Sequence, residues 1–368
     1  MFRFDIPPLN RIEGQQRVAV QMPIEANQAL LISGCPGSGK TTVLNYRAKK
    51  AESNSNGYVL LQWCVLLQAY LKNVCDILDI SEEKVQRVQQ WYYHTFDRTN
   101  LLDGERVNIN GIQQNFRRNR NLYDEIFLDE AQDLWPEFIE RLPMIAGQIS
   151  ICCDNAQDVF GNNQADDIRM DIKTRLINRR IDVKDFILTI NYRNTPEIYD
   201  FAKDFVPDEP ITNIDSFAIN SIDDKPKVYI RNTTQEGLSI VENIIKNNAG
   251  INIGILCGRI QHINSISTYL NSCEIEHTKY HSKLHWREKI TAMANVKSVV
   301  LCTHQSAKGL EFDLVILPFI EKLNPGPKFR RQYYVACTRA KSKLRLISMD
   351  KDISFIRNQI DGENYNVV

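Results

Sequence analysis

The chain alternates short apolar runs with longer stretches in which apolar residues recur every three or four positions. The short runs are typical of strands buried in a parallel sheet, and the longer stretches are typical of the helices that connect such strands. A first set of strands is predicted near residues 29–33, 58–62, 125–128, 149–153 and 186–190. A second set is predicted near residues 227–230, 253–257, 298–303, 314–318 and 343–347. The pattern therefore predicts an α/β fold with two parallel sheets.

The segment 205–227 separates the two sets of strands. It carries three prolines among aspartates and shows no apolar periodicity, as expected of a linker. A chain of 368 residues is also longer than one hydrophobic core usually serves. We therefore predict two domains, comprising residues 1–207 and residues 208–368.

Composition and charge restrict the class of protein. Lys plus Arg equal Asp plus Glu at 45 each, so any basic surface for a nucleic acid must be local. The nine cysteines form no CxxC pair, and we expect the adjacent Cys152 and Cys153 to be small buried side chains rather than a redox pair. No apolar stretch reaches the roughly 20 residues that span a bilayer, and no signal-peptide core precedes Val20. We expect a cytoplasmic protein with no membrane partner.

A glycine-rich loop follows the first predicted strand, and a helical stretch follows the loop. Its sequence, Gly34-Cys35-Pro36-Gly37-Ser38-Gly39-Lys40-Thr41, fits the P-loop of nucleoside triphosphatases. Backbone N–H groups of such a loop face the phosphates, the lysine reaches the β and γ phosphates, and the hydroxyl of Thr41 binds Mg²⁺. We therefore predict an ATP and Mg²⁺ site whose nucleotide contacts come from Gly34, Gly37, Ser38, Gly39, Lys40, Thr41 and Thr42.

An acidic run, Asp129-Glu130-Ala131-Gln132-Asp133, ends another predicted strand. Nucleotide hydrolysis needs one carboxylate near the metal ion and one near the attacking water. We expect Asp129 to hold Mg²⁺ through its water shell and Glu130 to polarise the water. The alternative is a solvated acidic loop, which the neighbouring P-loop disfavours.

The run Asp-Glu-Ala-Gln-Asp after a P-loop resembles motif II of the UvrD/Rep branch of the superfamily 1 helicases, and further motifs match in that family's order. The Q motif is matched at 16–20, motif III at 154–157, motif IV at 188–193, motif V at 303–313 and motif VI at 333–340. The resemblance implies two tandem RecA-like P-loop NTPase domains with the ATP site in the cleft between them.

The resemblance also implies roles for single residues. Gln16 would lie at the adenine edge and Tyr192 would stack on the adenine ring. In motif V, Glu311 would bind the ribose hydroxyls, and Gly309 belongs to the same nucleotide-binding set.

Further residues are implied at the γ-phosphate. Gln157 would reach toward it, Arg193 would touch it, and Arg339 would be the arginine finger supplied by the other domain. The predicted catalytic set is Lys40, Glu130, Gln157, Arg193 and Arg339.

The residues expected to bind nucleic acid depart from the family pattern. Trp63 and its neighbours stand where motif Ia usually carries Thr-x-Asn, and Gln305 replaces the motif V histidine. Phe160 is a candidate for stacking on a base. Tyr92 and Tyr93 belong to an aromatic stretch that faces either bases or the core, and the core is favoured.

Two functions stay open. The first is a motor: an ATP-driven helicase or translocase core acting on single-stranded DNA or RNA. The second is a helicase-derived switch that closes on ATP and regulates a protein partner such as a nuclease. The order of the motifs and the paired arginines favour the motor, whereas the altered motif Ia favours the switch. The chain shows no nuclease signature of the PD-(D/E)xK kind.

Overall fold

The computed structural model describes residues 6–64, 73–103, 106–162, 165–207 and 211–368. These residues form two compact units, one of residues 6–191 with 211–216 and one of residues 192–207 with 217–368. None of the helices in these ranges is long and apolar enough to cross a membrane.

The first unit is built on a six-stranded sheet. The strands of this unit, in chain order, are β1 (Gln28–Gly34), β2 (Tyr58–Gln62), β3 (Val85–Arg87), β4 (Leu102–Asp103), β5 (Arg106–Val107), β6 (Tyr123–Leu128), β7 (Ala146–Cys153), β8 (Asp182–Leu188) and β9 (Ile190–Asn191). The sheet order is β3-β2-β6-β7-β1-β8 and every pair in it is parallel. Strands β4 and β5 form a separate antiparallel pair.

Helices cover both faces of this sheet. They are α1 (Gly14–Gln21), α2 (Lys40–Ser53), α3 (Val88–Thr95), α4 (Ile109–Arg118), α5 (Pro136–Ile139) and α6 (Ile168–Asn178), and residues 73–78 are also helical. Alternate residues of β1 enter different apolar layers: Ala29 and Leu31 pack in one, and Leu30 and Ile32 in the other. Burial on both faces explains why this strand is a continuous apolar run.

The second unit is built on a seven-stranded sheet. Strand β10 (Ser216–Phe217) spans the division of the chain between the units, and it is followed by β11 (Lys227–Ile230), β12 (Ile253–Cys257), β13 (Thr278–Tyr280), β14 (Val299–Thr303), β15 (Phe312–Pro318), β16 (Ala340–Ser348) and β17 (Asn366–Val367). The sheet order is β13-β14-β12-β15-β16-β11-β17, again with parallel pairs.

The helices of the second unit are α7 (Pro196–Lys203), α8 (Thr234–Lys246), α9 (Ile260–Ser272), α10 (Trp286–Ala294), α11 (Pro327–Cys337) and α12 (Ser354–Gln359). An apolar core joins α8 and α9 to strands β12, β14 and β15. The predicted α/β class, with a parallel sheet in each of two units, is confirmed.

The division between the units comes earlier in the chain than the predicted boundary at residue 207. Residues 192–207, which the sequence placed in the first domain, pack with the second unit. The physical reason is that α7 buries Ile198, Phe201 and Ala202, and that Thr195 donates its backbone N–H to the carbonyl of Lys341 in the same unit. The last two residues of motif IV, Tyr192 and Arg193, therefore lie in the same unit as motifs V and VI.

Candidate nucleotide-binding site

The P-loop connects β1 to α2, and its backbone requires glycine at several positions. Gly37 and Gly39 have φ angles of 76° and 86°, in the left-handed region that other residues rarely adopt. A Cβ atom on Gly34 would lie 2.6 Å from Ser38 Oγ and 2.7 Å from the carbonyl oxygen of Leu188. The Ser38 hydroxyl is buried and has no hydrogen-bond partner among the described residues. A tight loop, a helix N-terminus and a buried hydroxyl that is available as a donor are together suited to bind a phosphate group.

Lys40 is the first residue of α2, directly after this loop, and is buried. Its Nζ donates to the carbonyl oxygens of Gly34 at 2.7 Å and Cys35 at 3.0 Å, and it pairs with Asp154 Oδ2 at 3.3 Å. Burial alone lowers the pKa of Lys40, but the charges of Asp154 and then Glu130 outweigh it and raise the pKa. Lys40 therefore stays a cation at neutral pH, as a phosphate-binding lysine must.

Two adjacent carboxylates follow strand β6. Thr41 Oγ1 donates to Asp129 Oδ2 at 2.7 Å, so the two residues predicted to bind Mg²⁺ are in contact. Burial and then the neighbouring Glu130 raise the pKa of Asp129 to about 7. A buried carboxylate beside a second one favours a bound cation, and oxygen donors of this kind suit Mg²⁺. The donor set fits the predicted metal.

Glu130 has a φ angle of 54°, which is uncommon for a residue other than glycine and occurs at functional sites. Its Oε2 accepts a hydrogen bond from Gln132 Nε2 at 2.6 Å. The carbonyl side of the same Gln132 amide accepts from the backbone N–H of Asp154 at 3.1 Å. Gln132 therefore fixes the carboxylate of Glu130 relative to the start of motif III.

Asp154 links the remaining predicted residues. Besides pairing with Lys40, its Oδ2 accepts from Gln157 Nε2 at 2.7 Å, and its Oδ1 accepts from the backbone N–H of Ala156 at 3.1 Å. One buried polar network thus brings together Lys40, Glu130 and Gln157. Asp154 and Gln132 make these connections, and the sequence motifs to which they belong do not predict them as site residues.

The Q-motif residue Gln16 supports the loop. Its Nε2 donates to the carbonyl oxygen of Ser38 at 2.9 Å, and it would lie 2.0 Å from a Cβ atom on Gly39. Thr42 is half-buried in the first turn of α2. The adenine contact expected of Gln16 stays a prediction.

In the second unit, two residues that are predicted to contact the nucleotide, Arg193 and Glu311, form an ion pair with each other. Arg193 Nε donates to Glu311 Oε1 at 2.9 Å, and Lys341 Nζ lies 3.8 Å from Glu311 Oε2. Burial alone raises the pKa of Glu311, but the charges of Arg193 and then Lys341 outweigh it and lower the pKa. Tyr192, which precedes Arg193 in the sequence, is half-buried. Gly309 has a φ angle of 81°.

Arg339 follows α11 and is buried. Its Nε donates to the carbonyl oxygen of Val335 at 3.1 Å. Lys308 of motif V is also buried, so neither of these two basic side chains belongs to the solvated surface. The structure thus places Arg193, Glu311 and Arg339 in one unit, and Lys40, Asp129 and Glu130 in the other.

The candidates for nucleic-acid contact divide into core and surface. Tyr92 is buried and its hydroxyl accepts from Asn115 Nδ2 at 2.9 Å, so the prediction that this stretch faces the core is confirmed for Tyr92. Tyr93 is exposed. Phe160 is half-buried with its ring edge-on to Trp63, at 6.3 Å between centroids.

One exposed arginine of the first unit, Arg179, forms an ion pair. Arg179 Nη2 lies 2.7 Å from Glu140 Oε1, and Glu140 also pairs with Arg175 and Arg141. Arg179 is therefore a member of a surface ion-pair network.

Comparison with known proteins places these features in a family context. Residues 298–347 match the model of the UvrD-like helicase C-terminal domain. The RecBCD enzyme subunit RecB of Chlamydia pneumoniae is 33% identical over 106 residues, which cover 25% of this chain. The match covers 9% of RecB, so this chain corresponds to a small part of that protein.

Two solved structures match this chain over most of its length. Dbp5 of S. cerevisiae bound to RNA and ADP BeF3 has a TM-score of 0.56 and 12% identity, covering 96% of this chain and 89% of that chain. The PRRSV helicase has a TM-score of 0.44 and 14% identity, covering 94% of this chain and 56% of that chain. The first likeness supports the RecA-like fold. The match of residues 298–347, which include motifs V and VI, confirms that the chain resembles the UvrD-like helicases.

Proposed function

We propose that the chain is a UvrD-like helicase or translocase core that hydrolyses ATP with Mg²⁺ while bound to single-stranded DNA or RNA. The observation that carries the proposal is the buried network of Lys40, Asp154, Gln157, Gln132 and Glu130 beside the Thr41–Asp129 contact. Such a network joins a phosphate-binding cation to the carboxylates for metal and water. The match of residues 298–347 to UvrD-like helicases supports the same function.

The residues of the first unit have separate roles in this proposal. The P-loop backbone and Lys40 bind the triphosphate, and Thr41 and Asp129 hold Mg²⁺, which neutralises charge on the phosphate oxygens when bound. Glu130 accepts the proton of the attacking water. Gln157 contacts the γ-phosphate.

The residues of the second unit have separate roles in the proposed reaction. Arg193 and Arg339 stabilise the charge that develops on the transferring phosphoryl group. Tyr192, Gly309 and Glu311 serve the nucleoside, as Gln16 does from the first unit. Because Arg193 now pairs with Glu311, ATP would have to share or replace that carboxylate as its partner.

The second candidate function is an ATP-dependent switch that regulates a protein partner such as a nuclease. The observation that favours it is that Tyr92, one of the few stacking candidates, lies in the core. The likeness to RecB, named as a subunit of the RecBCD enzyme, agrees with a protein partner.

The described cysteines are free thiols, which supports a reducing, cytoplasmic location.

One experiment separates the two functions. The rate of ATP hydrolysis is measured with and without single-stranded DNA and RNA at low salt, with Lys40→Ala as the background control. A motor is expected to hydrolyse ATP faster when nucleic acid is bound. If the rate is the same with all additions, and neither nucleic acid binds in titrations, the motor proposal fails and the switch replaces it.

A further inference from the structure

The short loop that carries Arg339 is held by hydrogen bonds from both the N–H and the carbonyl of this residue. Arg339 follows Thr338, the C-cap of α11, and comes directly before β16. Its backbone N–H donates to the carbonyl of Ala336 at 3.3 Å, and its carbonyl accepts from the N–H of Phe312 at 2.9 Å. The direction of the guanidinium therefore depends on the backbone of residues 338–340, together with the hydrogen bond from its Nε to the carbonyl oxygen of Val335.

Asn194 is buried beside this loop, within the same unit. Its Nδ2 donates to the carbonyl oxygen of Thr338 at 3.1 Å and to that of Ala340 at 2.6 Å. These are the two residues that flank Arg339. An amide has two N–H donors, so each flanking carbonyl receives one.

Both carbonyls belong to fully buried residues. Water cannot easily replace a hydrogen bond that is lost there, so the loop would have to move to satisfy them. The neighbours of Asn194 make parallel contacts: Arg193 Nη1 donates to the Thr338 carbonyl at 3.3 Å, and the Thr195 N–H donates to the Lys341 carbonyl at 3.3 Å. Segment 193–195 therefore lies along segment 338–341.

We propose that Asn194 is a positioning residue for Arg339. Its amide fixes the backbone on both sides of the arginine, so that the guanidinium keeps the direction needed at the γ-phosphate. The side chain of Asn194 is uncharged, and its effect on the reaction passes through Arg339. This inference rests on the proposed function, in which Arg339 stabilises the transferring phosphoryl group.

A double-mutant cycle tests the inference. The kcat and KM for ATP, and the midpoint of thermal unfolding, are measured for wild type, Asn194→Ala, Arg339→Ala and the double variant. We expect Asn194→Ala to lower kcat by about 10²-fold, the scale of a misplaced catalytic group, with a smaller change in KM. In the Arg339→Ala background the same change should leave kcat unaltered while still lowering the unfolding midpoint.

The matched control is Asn248→Ala, in the same unit. The Asn248 amide donates to the Ile244 carbonyl at 2.8 Å and accepts from Lys343 Nζ at 2.8 Å, so this variant also removes two hydrogen bonds, one of them to β16. Its kcat should equal that of wild type.

The outcomes distinguish the inference from the function on which it rests. If Asn194→Ala lowers kcat equally in both backgrounds, or lowers only the unfolding midpoint, Asn194 is merely structural and the inference is overturned. If Arg339→Ala keeps full activity, the proposed role of Arg339 falls, and that of Asn194 falls with it. Should Asn194→Ala not fold, Asn194→Ser, which keeps one hydroxyl donor, is expected to give the same pattern at smaller size.

Discussion

The phosphate loop of the first unit and the arginine cluster of the second differ in how they are built. The loop is continuous in sequence, from Gly34 to Thr41, and one strand and one helix define its shape. The cluster collects Arg193, Glu311 and Arg339 from distant segments, joined by hydrogen bonds such as that from Arg193 to the Thr338 carbonyl. The first depends on local backbone geometry, whereas the second depends on tertiary packing.

Both regions hold cations that have partners within their own unit. Lys40 is paired with Asp154 at 3.3 Å, and Arg193 with Glu311 at 2.9 Å. A buried cation without a partner would be costly. We therefore expect substitutions in the two regions to affect ATP hydrolysis differently, and the following predictions test this difference.

The largest effect is expected for Lys40→Ala, which should abolish ATP hydrolysis because it removes the ammonium group of the P-loop. Steady-state hydrolysis assays check this prediction. Lys49→Ala is the matched control, since Lys49 lies on the same helix and forms an ion pair with Asp79, whose side chain is 98% exposed. Such surface pairs contribute little. Near wild-type hydrolysis by Lys40→Ala would contradict the site.

Arg193→Ala and Arg339→Ala should each lower kcat, by about 3 to 5 orders of magnitude at most if each acts as an arginine finger. The affinity for ATP should fall less than kcat, because the loop in the first unit is unchanged. Single-turnover hydrolysis and equilibrium ATP binding measure the two quantities. A large loss of affinity with unaltered kcat would mean that the arginines serve binding only.

Glu130→Gln should bind ATP and hydrolyse it about 10² to 10⁴ times more slowly, the usual size of a general-base contribution. Asp129 and Thr41 are unaltered in this variant, so Mg²⁺-dependent binding should persist. Binding of fluorescent ATP with and without Mg²⁺ provides the check. Loss of ATP binding would show that Glu130 is required for more than water activation.

The smallest effect is expected when the pH is lowered, and it concerns the folding stability that His304 of the second unit contributes. Burial lowers the pKa of His304 to about 4, below the ordinary value of about 6.5. The unfolded chain therefore takes up a proton first as the pH falls, and stability should decrease between about pH 6.5 and 4, by roughly 3 kcal/mol from this residue.

Denaturant unfolding of wild type and His304→Gln at pH 7 and pH 5 measures this contribution. The wild type should lose more stability between the two pH values than the variant does. An equal loss in both proteins would show that His304 is not the responsible group.

The sequence predicted those parts of the molecule that depend on local patterns. The continuous apolar run of β1 and the glycines after it were sufficient to place Lys40, and the strand before Asp129 was equally clear. Tyr92 was correctly expected in the core. The sequence did not indicate that residues 192–207 pack with the second unit, because their placement depends on tertiary contacts such as the hydrogen bond from Asn194 to Ala340.

Short edge strands were also missed. Strands β3, β13 and β17 have two or three residues each, which is too short to show a period of apolar residues. The connecting roles of Gln132 and Asp154 depend on side-chain directions that no spacing rule gives. A search for amides next to the motif carboxylates would have found Gln132.

The alternation of side chains between two apolar layers along β1 limits where residues can be inserted into or deleted from this chain. Residues 28–33 of β1 are in register with β7 on one side and with β8 on the other. The side chains from Ala29 to Ile32 alternate between the two apolar layers. Inserting one residue within the strand would send every later side chain to the wrong layer. Insertions and deletions are therefore tolerable in surface connections, but between Gln28 and Thr41 they would displace the lysine from its place beside Asp154.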